Sequence, residues 1–393
     1  MRVVQADHVM FSECLGALRQ DLCQPREPRP ENTIHLKGHI LLDFELPQDW
    51  SLGDVIVHAS KRVDMPHANA AFVSTVSLPS WVDRDHAHPF IIALTTVLSF
   101  ATGRPIKSPR DPYWIVSAEA SIDPKAVAIQ FPVLVAGPGA RDYQISAPVL
   151  TSYETAATRA LDVLRALPLL AYERTLQAMR LVHLALLNHR DDFALSYFLL
   201  VSSLEAIAQL AIPRREVISQ HTNEPQWRAR ARTDAMFREI YSAYRAERGN
   251  NSGLRKRFVR FILEYCPVDE WDDLPHPDEN FEQFMREKHP DLRPFPVRRS
   301  LWNIRPSELT STQLSRILSD AYSHRSGFTH EGAQPPHQDP RGHDRFFDVE
   351  FVFEPGVRTV TQVVVPTFGL MAFLARRCIE QWSARQLTSG NGR

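Results

Sequence analysis

Two periodicities divide this chain. Over residues 33–46 the apolar positions alternate, in Ile34, Leu36, Gly38 and Ile40 and then Leu42, Phe44 and Leu46, which predicts one long strand or a bent pair. β-Branched runs at 54–63, 70–78, 113–122 and 127–135 predict further strands. Residues 10–22 carry Met10, Phe11, Cys14, Leu15, Leu18 and Leu22 at helical spacing, and Pro25, Pro28 and Pro30 then form a spacer. At 88–102 the strand pattern is interrupted by Ile91, Ile92, Leu94, Val97, Leu98 and Phe100, a buried helix closed by Gly103 and Pro105.

Beyond residue 151 the pattern is helical. Apolar stripes run through 155–167, 174–187 and 192–211, the last apolar around most of its circumference and therefore expected at the centre of a bundle. A helix over 231–248 and an amphipathic one over 254–265 follow, then a connection rich in Pro and acidic residues at 266–299 with one short helix at 281–288. Leu314, Ile317, Leu318 and Tyr322 mark a further helix, with Thr310, Ser311 or Thr312 as its N-cap. Residues 346–353 read as a short strand, and the apolar run at 363–375, broken by Pro366 and too short to span a bilayer, reads as a buried segment leading into a helix over 367–385. The fold class expected is α+β: a mixed, strand-rich N-terminal domain at 1–150, then an all-α helical bundle at 151–393 with an inserted loop at about 266–299.

Composition narrows the chemistry. The chain has 393 residues, a formal net charge of -1 and a charged fraction of 23%, so any polyanion must be met by a local patch rather than a global field. Cys14, Cys23, Cys266 and Cys378 lack the spacing of a zinc site or disulfide framework and read as free thiols. With no signal-peptide pattern at the N-terminus, a cytoplasmic location is expected.

Several stretches invite chemistry. Asp83, Asp85, His86 and His88 offer imidazole and carboxylate together, but without a second ligand cluster they read as a solvated loop, and no metal is expected. Gly137-Pro138-Gly139 reads as a turn. Glu205 is the acidic residue beyond the first turn of the most apolar helix, where a carboxylate needs a partner: an active-site or interface role, or a structural acceptor for an arginine or a helix N-terminus. Residues 213–252 are rich in arginine, and Arg255, Lys256, Arg257 and Arg260 give the 254–265 helix a basic side suited to a phosphate backbone or to solvent. Finally, Tyr322-Ser323-His324-Arg325-Ser326 is followed by His330 and Gly332. Arginine grips phosphate in a bidentate way and histidine exchanges protons near neutrality.

This last stretch resembles the Arg-x4-6-His motif of HEPN domains, closest to the Apea-like group, in which Tyr-x-x-Arg-Ser and a glycine soon after the histidine are typical. The stretch 197–210 with Glu205 is similar to that family's first core helix, and 254–263 to its basic middle helix. Gly327, Phe328 and Glu331 depart from the family pattern. The resemblance covers about residues 155–385. It implies a metal-independent endoribonuclease without cofactor, acting as a homodimer on RNA, in anti-phage defence or a toxin-like response. Arg325 and His330 would be catalytic, with Ser326, His324, Tyr322 and Glu205 in support, and the products would be a 2′,3′-cyclic phosphate and a 5′-hydroxyl. The N-terminal domain would answer a trigger or regulatory partner. Five helical residues advance about 140° around the axis, so Arg325 and His330 would converge only through unwinding or through pairing of two copies. The alternative is a non-catalytic module of the same type that binds RNA or nucleotide or holds a dimer together.

Overall fold

The chain is described by a computed structural model over residues 14–23, 35–66, 70–133, 145–217, 221–251, 253–275, 286–287, 290–291, 304–332, 344–353 and 360–390. The fold is α+β. Strands β1 (Leu36–Leu42), β2 (Trp50–Leu52), β3 (Val55–Val57), β4 (Lys61–Asp64) and β5 (Ala70–Ser77) come first, then helix α1 (Arg84–Thr102), the short strands β6 (Ile106–Lys107) and β7 (Val116–Ser117), and helix α2 (Pro124–Gln130). Helices α3 (Ala147–Ala166), α4 (Leu169–Asn188), α5 (Phe193–Ala211), α6 (Arg214–Val217), α7 (Glu224–Thr233), α8 (Ala235–Asn251), α9 (Leu254–Tyr265) and α10 (Ser311–Glu331) follow. The hairpin β8 (Phe347–Phe353) and β9 (Val360–Pro366) and helix α11 (Phe368–Gly390) complete the described chain.

The sheet is antiparallel, in the order β2-β3-β5-β1-β6, with β4 also on β5 and β7 also on β1. Leu41 faces Val73 and Leu42 faces Phe72 across the central pair. Successive side chains of a strand point to opposite faces. Here Ile40, Leu42 and Phe72 enter the main core, while Leu41, Ala71 and Val73 meet Val127 and Ala128 of α2 in a second, smaller core. Because both faces are covered, the central strands are buried almost continuously instead of alternating with solvent.

Helix α1 links the sheet to the helical half, so its side chains from Phe90 to Thr102 are nearly all buried. Asp83 caps its N-terminus by accepting from His86 N, and Gly103, at φ 69, closes it in the left-handed conformation. Arg376 of α11 donates to the Ala101 carbonyl at the same end. One apolar cluster runs on from Leu42 and Phe72 through Phe90 and Leu94 to Leu176, Leu204, Leu374 and Ile379. Of the described residues, one helix, α5, is long and apolar enough to cross a bilayer, and 56% of that window is buried inside the protein.

Several expectations need correction. The strand expected at 127–135 is helix α2 as far as Gln130: Asp123 accepts from Lys125 N, and Pro124 sits where its missing N–H costs nothing. The strand at 113–122 shrinks to β7, because Asp111 and Pro112 initiate a 3-10 turn. The described part of the 10–22 helix is a 3-10 turn at Cys14–Gly16. The 231–248 helix is two, split where Asp234 closes α7 and accepts from Phe237 N at 3.0 Å. The helical half also contains the β8–β9 hairpin, so it is not all-α, and residues 363–366 belong to a strand. The spacer prolines, Gly137-Pro138-Gly139 and most of the 281–288 helix lie outside the described residues.

Two measurable consequences follow from this packing. A Cβ at Gly38 would stand 2.5 Å from Ile91 Cγ1 of α1. Gly38→Ala is therefore expected to lower the unfolding free energy by about 1–3 kcal/mol in urea titration, and the added change Ile91→Ala to recover part of it. Equal losses with and without Ile91 would sink this account. The second concerns pH. His183 is fully buried, donates through Nε2 to the Ile106 carbonyl at 2.6 Å and faces the Arg180 guanidinium at 2.9 Å. Burial first, then Arg180, holds it well below the usual imidazole value of 6.5, and burial lowers His39 and His88 as well. The folded chain keeps these rings neutral while the unfolded chain takes up protons, so stability should be level above neutrality and fall as the pH drops through about 6.5. His183→Gln should flatten that fall in the urea midpoint between pH 7 and about 5.

Candidate functional site

Helix α5 begins where Asp192 accepts from Leu195 N at 2.9 Å, and its buried positions include Tyr197, Leu200, Val201, Leu204, Ile207 and Ala208. Glu205 shares that buried surface, 6% exposed. Helix α10 begins at Thr310, one of the three N-cap candidates: Gln313 N donates to Thr310 Oγ1 at 3.3 Å, and Thr310 N donates to Gln313 Oε1 at 2.9 Å. Its inward stripe is Leu314, Ile317, Leu318, Ala321 and Tyr322, and the next member at helical spacing is Arg325.

The two helices therefore bring Glu205 and Arg325 together. Arg325 Nη2 stands 3.2 Å from Glu205 Oε2, an ion pair without the alignment of a hydrogen bond. Gln209, one turn along α5, donates to Glu205 Oε1 at 3.1 Å. The guanidinium lies 5.7 Å from the Phe198 ring centroid and 6.0 Å from that of Tyr322, and Phe328 packs on Phe198 at 5.3 Å. About a quarter of the Arg325 side chain, 27%, is open to solvent. Burial first, then the Glu205 carboxylate, pushes the Tyr322 phenol above its ordinary range, with Arg325 acting the other way.

His330 lies elsewhere on the helix. α10 stays helical from Ser311 to Glu331 and ends at Gly332, φ 66, so the turn that carries both residues is not unwound. Arg325 faces α5 while His330 is exposed. His324 is half-buried, and desolvation lowers its pKa, with Asp320 opposing. Ser326 is half-buried beside Arg325.

The basic helix α9 divides its four cations. Arg257 donates through Nε to the Ile212 carbonyl at 2.8 Å and through Nη2 to the Gln209 carbonyl, so it caps the C-terminus of α5. Arg260 is paired with Glu216 at 2.7 Å and Glu264 at 3.4 Å. Arg255 and Lys256 are exposed. Lys256 and Arg260, with Val259, Leu263, Ser315 and Ser319, line an open groove of about 500 Å³ between α9 and α10.

Asp83 and His86 are engaged with each other at the α1 N-cap, and His88 Nε2 bonds the Pro109 carbonyl at 3.0 Å. Phe198 and Gln209 were not among the residues expected at the site. Their signal was present in the spacing: Phe198 lies two turns before Glu205 and Gln209 one turn after it, on the same helix face.

Removing one partner of a covered ion pair leaves the other unmatched. Glu205→Ala is expected to cost about 2 kcal/mol in urea unfolding, whereas Glu205→Leu with Arg325→Leu should cost less than the sum of the two single changes. Strict additivity would mean that the pair is not coupled.

No family model, no curated protein and no solved structure matches the chain.

Proposed function

We propose that the chain is a metal-independent endoribonuclease of HEPN type, in which Arg325 and His330 from two copies form one composite site. One observation carries the reading: α10 remains helical through the motif, so a single copy turns Arg325 toward Glu205 and leaves His330 exposed on another side. Two copies brought together at this helix end supply both groups to one phosphate without unwinding it.

In this reading His330 takes the proton of the ribose 2′-hydroxyl, or delivers one to the leaving 5′-oxygen. The 2′-oxygen attacks phosphorus, the P–O5′ bond breaks, and the products are a 2′,3′-cyclic phosphate and a 5′-hydroxyl. Arg325 offsets the charge that builds on the phosphoryl oxygens. Glu205, Gln209, Phe198 and Tyr322 limit the guanidinium to one place, and that positioning is what an electrostatic role needs. His324, kept neutral by its burial, is available as a second proton carrier, and Ser326 as a donor to phosphate. Arg255 and Lys256 are the α9 cations free to meet the RNA backbone; Arg257 and Arg260 hold the scaffold. Anti-phage defence or a toxin-like response, with a trigger acting on the N-terminal half, is the setting the family resemblance favours.

The pairing of Arg325 with Glu205 favours a second reading, in which the arginine serves packing and the chain binds RNA or nucleotide, or dimerises, without turnover. Purified protein incubated with RNA in EDTA distinguishes them. Cyclic-phosphate ends are expected, with rates reduced by about 10²-fold or more in Arg325→Ala and His330→Ala. RNA binding without cleavage by an intact dimer would establish the second reading, and cleavage retained in either variant would remove that residue from the mechanism.

A further inference from the structure

Helices α7 and α8 form an arm that the site described above does not use. Its buried residues Ala231 and Tyr241 belong to neither apolar core of the protein. The arm is held by its own contacts: Tyr241 donates to Glu224 at 3.3 Å, Arg238 donates to the Ala231 carbonyl at 3.0 Å, and Trp227 meets Tyr244 edge-on at 5.2 Å. His221 stacks on Trp227 at 4.5 Å.

The arm gathers exposed arginines whose carboxylates are distant. In the body of the protein several sit close to carboxylates, Arg104 to Asp43 and Arg165 to Asp54 at 2.8 Å, Arg260 to Glu216 at 2.7 Å and Arg377 to Glu270 at 2.9 Å, and others meet rings, Arg385 over Tyr265 at 4.0 Å and Arg345 over Phe346 at 4.8 Å. In the arm two are placed by rings. Arg230 lies over Phe237 at 5.2 Å and Arg245 over Tyr241 at 6.0 Å. The nearest carboxylates, Glu224 and Asp234, stand at 3.9 Å from Arg228 and Arg230, the outer limit of an ion pair. Glu224 is also buried under Tyr241, and Asp234 caps α8. Arg228, Arg230, Arg232, Arg238 and Arg245 are all exposed.

A guanidinium stacked on a ring is fixed in place while its charge is left largely uncompensated. A cluster of exposed cations fits a polyanion, and it disfavours a second copy of itself, since two-fold pairing of arms would set cation against cation. We infer that the α7–α8 arm grips the sugar-phosphate backbone of RNA without reading its sequence, at a place separate from Arg325 and His330. The inference rests on RNA being the substrate. Exposed Met236 and Ile240, 73% and 50% accessible, offer apolar surface to unstacked bases beside the arginines.

The test uses the full chain carrying Arg230→Gln, Arg232→Gln and Arg245→Gln, with fluorescein-labelled single-stranded RNA in EDTA. Anisotropy titrations are run between about 50 and 200 mM salt in the His330→Ala background, so that the probe stays intact, and cleavage is followed separately with His330 present. Each lost phosphate contact removes about 0.7 from the slope of log affinity against log salt, so the triple change is expected to lower the slope by about 2 and the affinity at least tenfold. The RNA concentration for half-maximal cleavage should rise by the same factor, and the thermal midpoint should not move.

Unchanged affinity and slope, in a protein that still cleaves RNA, would overturn the arm proposal and leave the nuclease standing. An arm-dependent slope in a protein that never cleaves would support the arm and remove the nuclease. Failure of the unaltered protein to bind RNA would remove both. A fall in the mass of the assembly by light scattering in the triple variant would make the arm a contact between copies and overturn its assignment to RNA.

Discussion

Helix α5 is apolar over so much of its surface that the helical half must cover it on several sides, and that requirement governs the arrangement around the site. Helices α4, α9, α10 and α11 pack against it, and Tyr197 reaches the Pro366 carbonyl at the end of the hairpin. A carboxylate inside such an environment is destabilising unless matched. Glu205 is matched by Arg325 and Gln209, so the constraint that buries α5 also settles where the motif arginine of α10 is held.

Arginine serves three ends in this protein, separated by what each guanidinium touches. Arg376 and Arg257 satisfy carbonyls at the ends of α1 and α5, where the backbone has no partner of its own. Arg104, Arg165 and Arg377 neutralise carboxylates between elements. Of the arm arginines, Arg238 likewise serves a carbonyl, that of Ala231 at the end of α7, while Arg230 and Arg245 lie over aromatic rings. A formal charge of -1 is thus compatible with a local cationic surface, because several cations are matched by carboxylates and carbonyls within the fold.

Much of the architecture was legible from spacing. The stripe of α9 gave its bounds, 254–265, and the polar residues before Leu314 contained the true N-cap, Thr310. The misreadings have two causes. In α2, Val127 and Ala128 pack against the far face of the sheet, and a short apolar run does not say whether it covers a sheet as a helix or extends it as a strand. Strand β9 was hidden in the same way inside an apolar run continuous with α11. Asp234 broke one expected helix into two because its side chain competes with the backbone for a cap, a local effect that periodicity does not register.

At the candidate site the division is sharper. The order of residues alone determined that α10 would carry Arg325 and His330 about 140° apart, since a helix of L-residues has one pitch. It also determined that Glu205, on the most apolar helix, would need a partner. Which partner it took depended on how α5 and α10 lie against each other, a matter of side chains more than a hundred positions apart in the chain. The tertiary structure alone decided that Arg325 turns inward to Glu205 with Phe198 and Tyr322 beside it, and that His330 is left exposed. Local pattern sets the direction in which each side chain leaves its helix, and only long-range packing sets what it meets there.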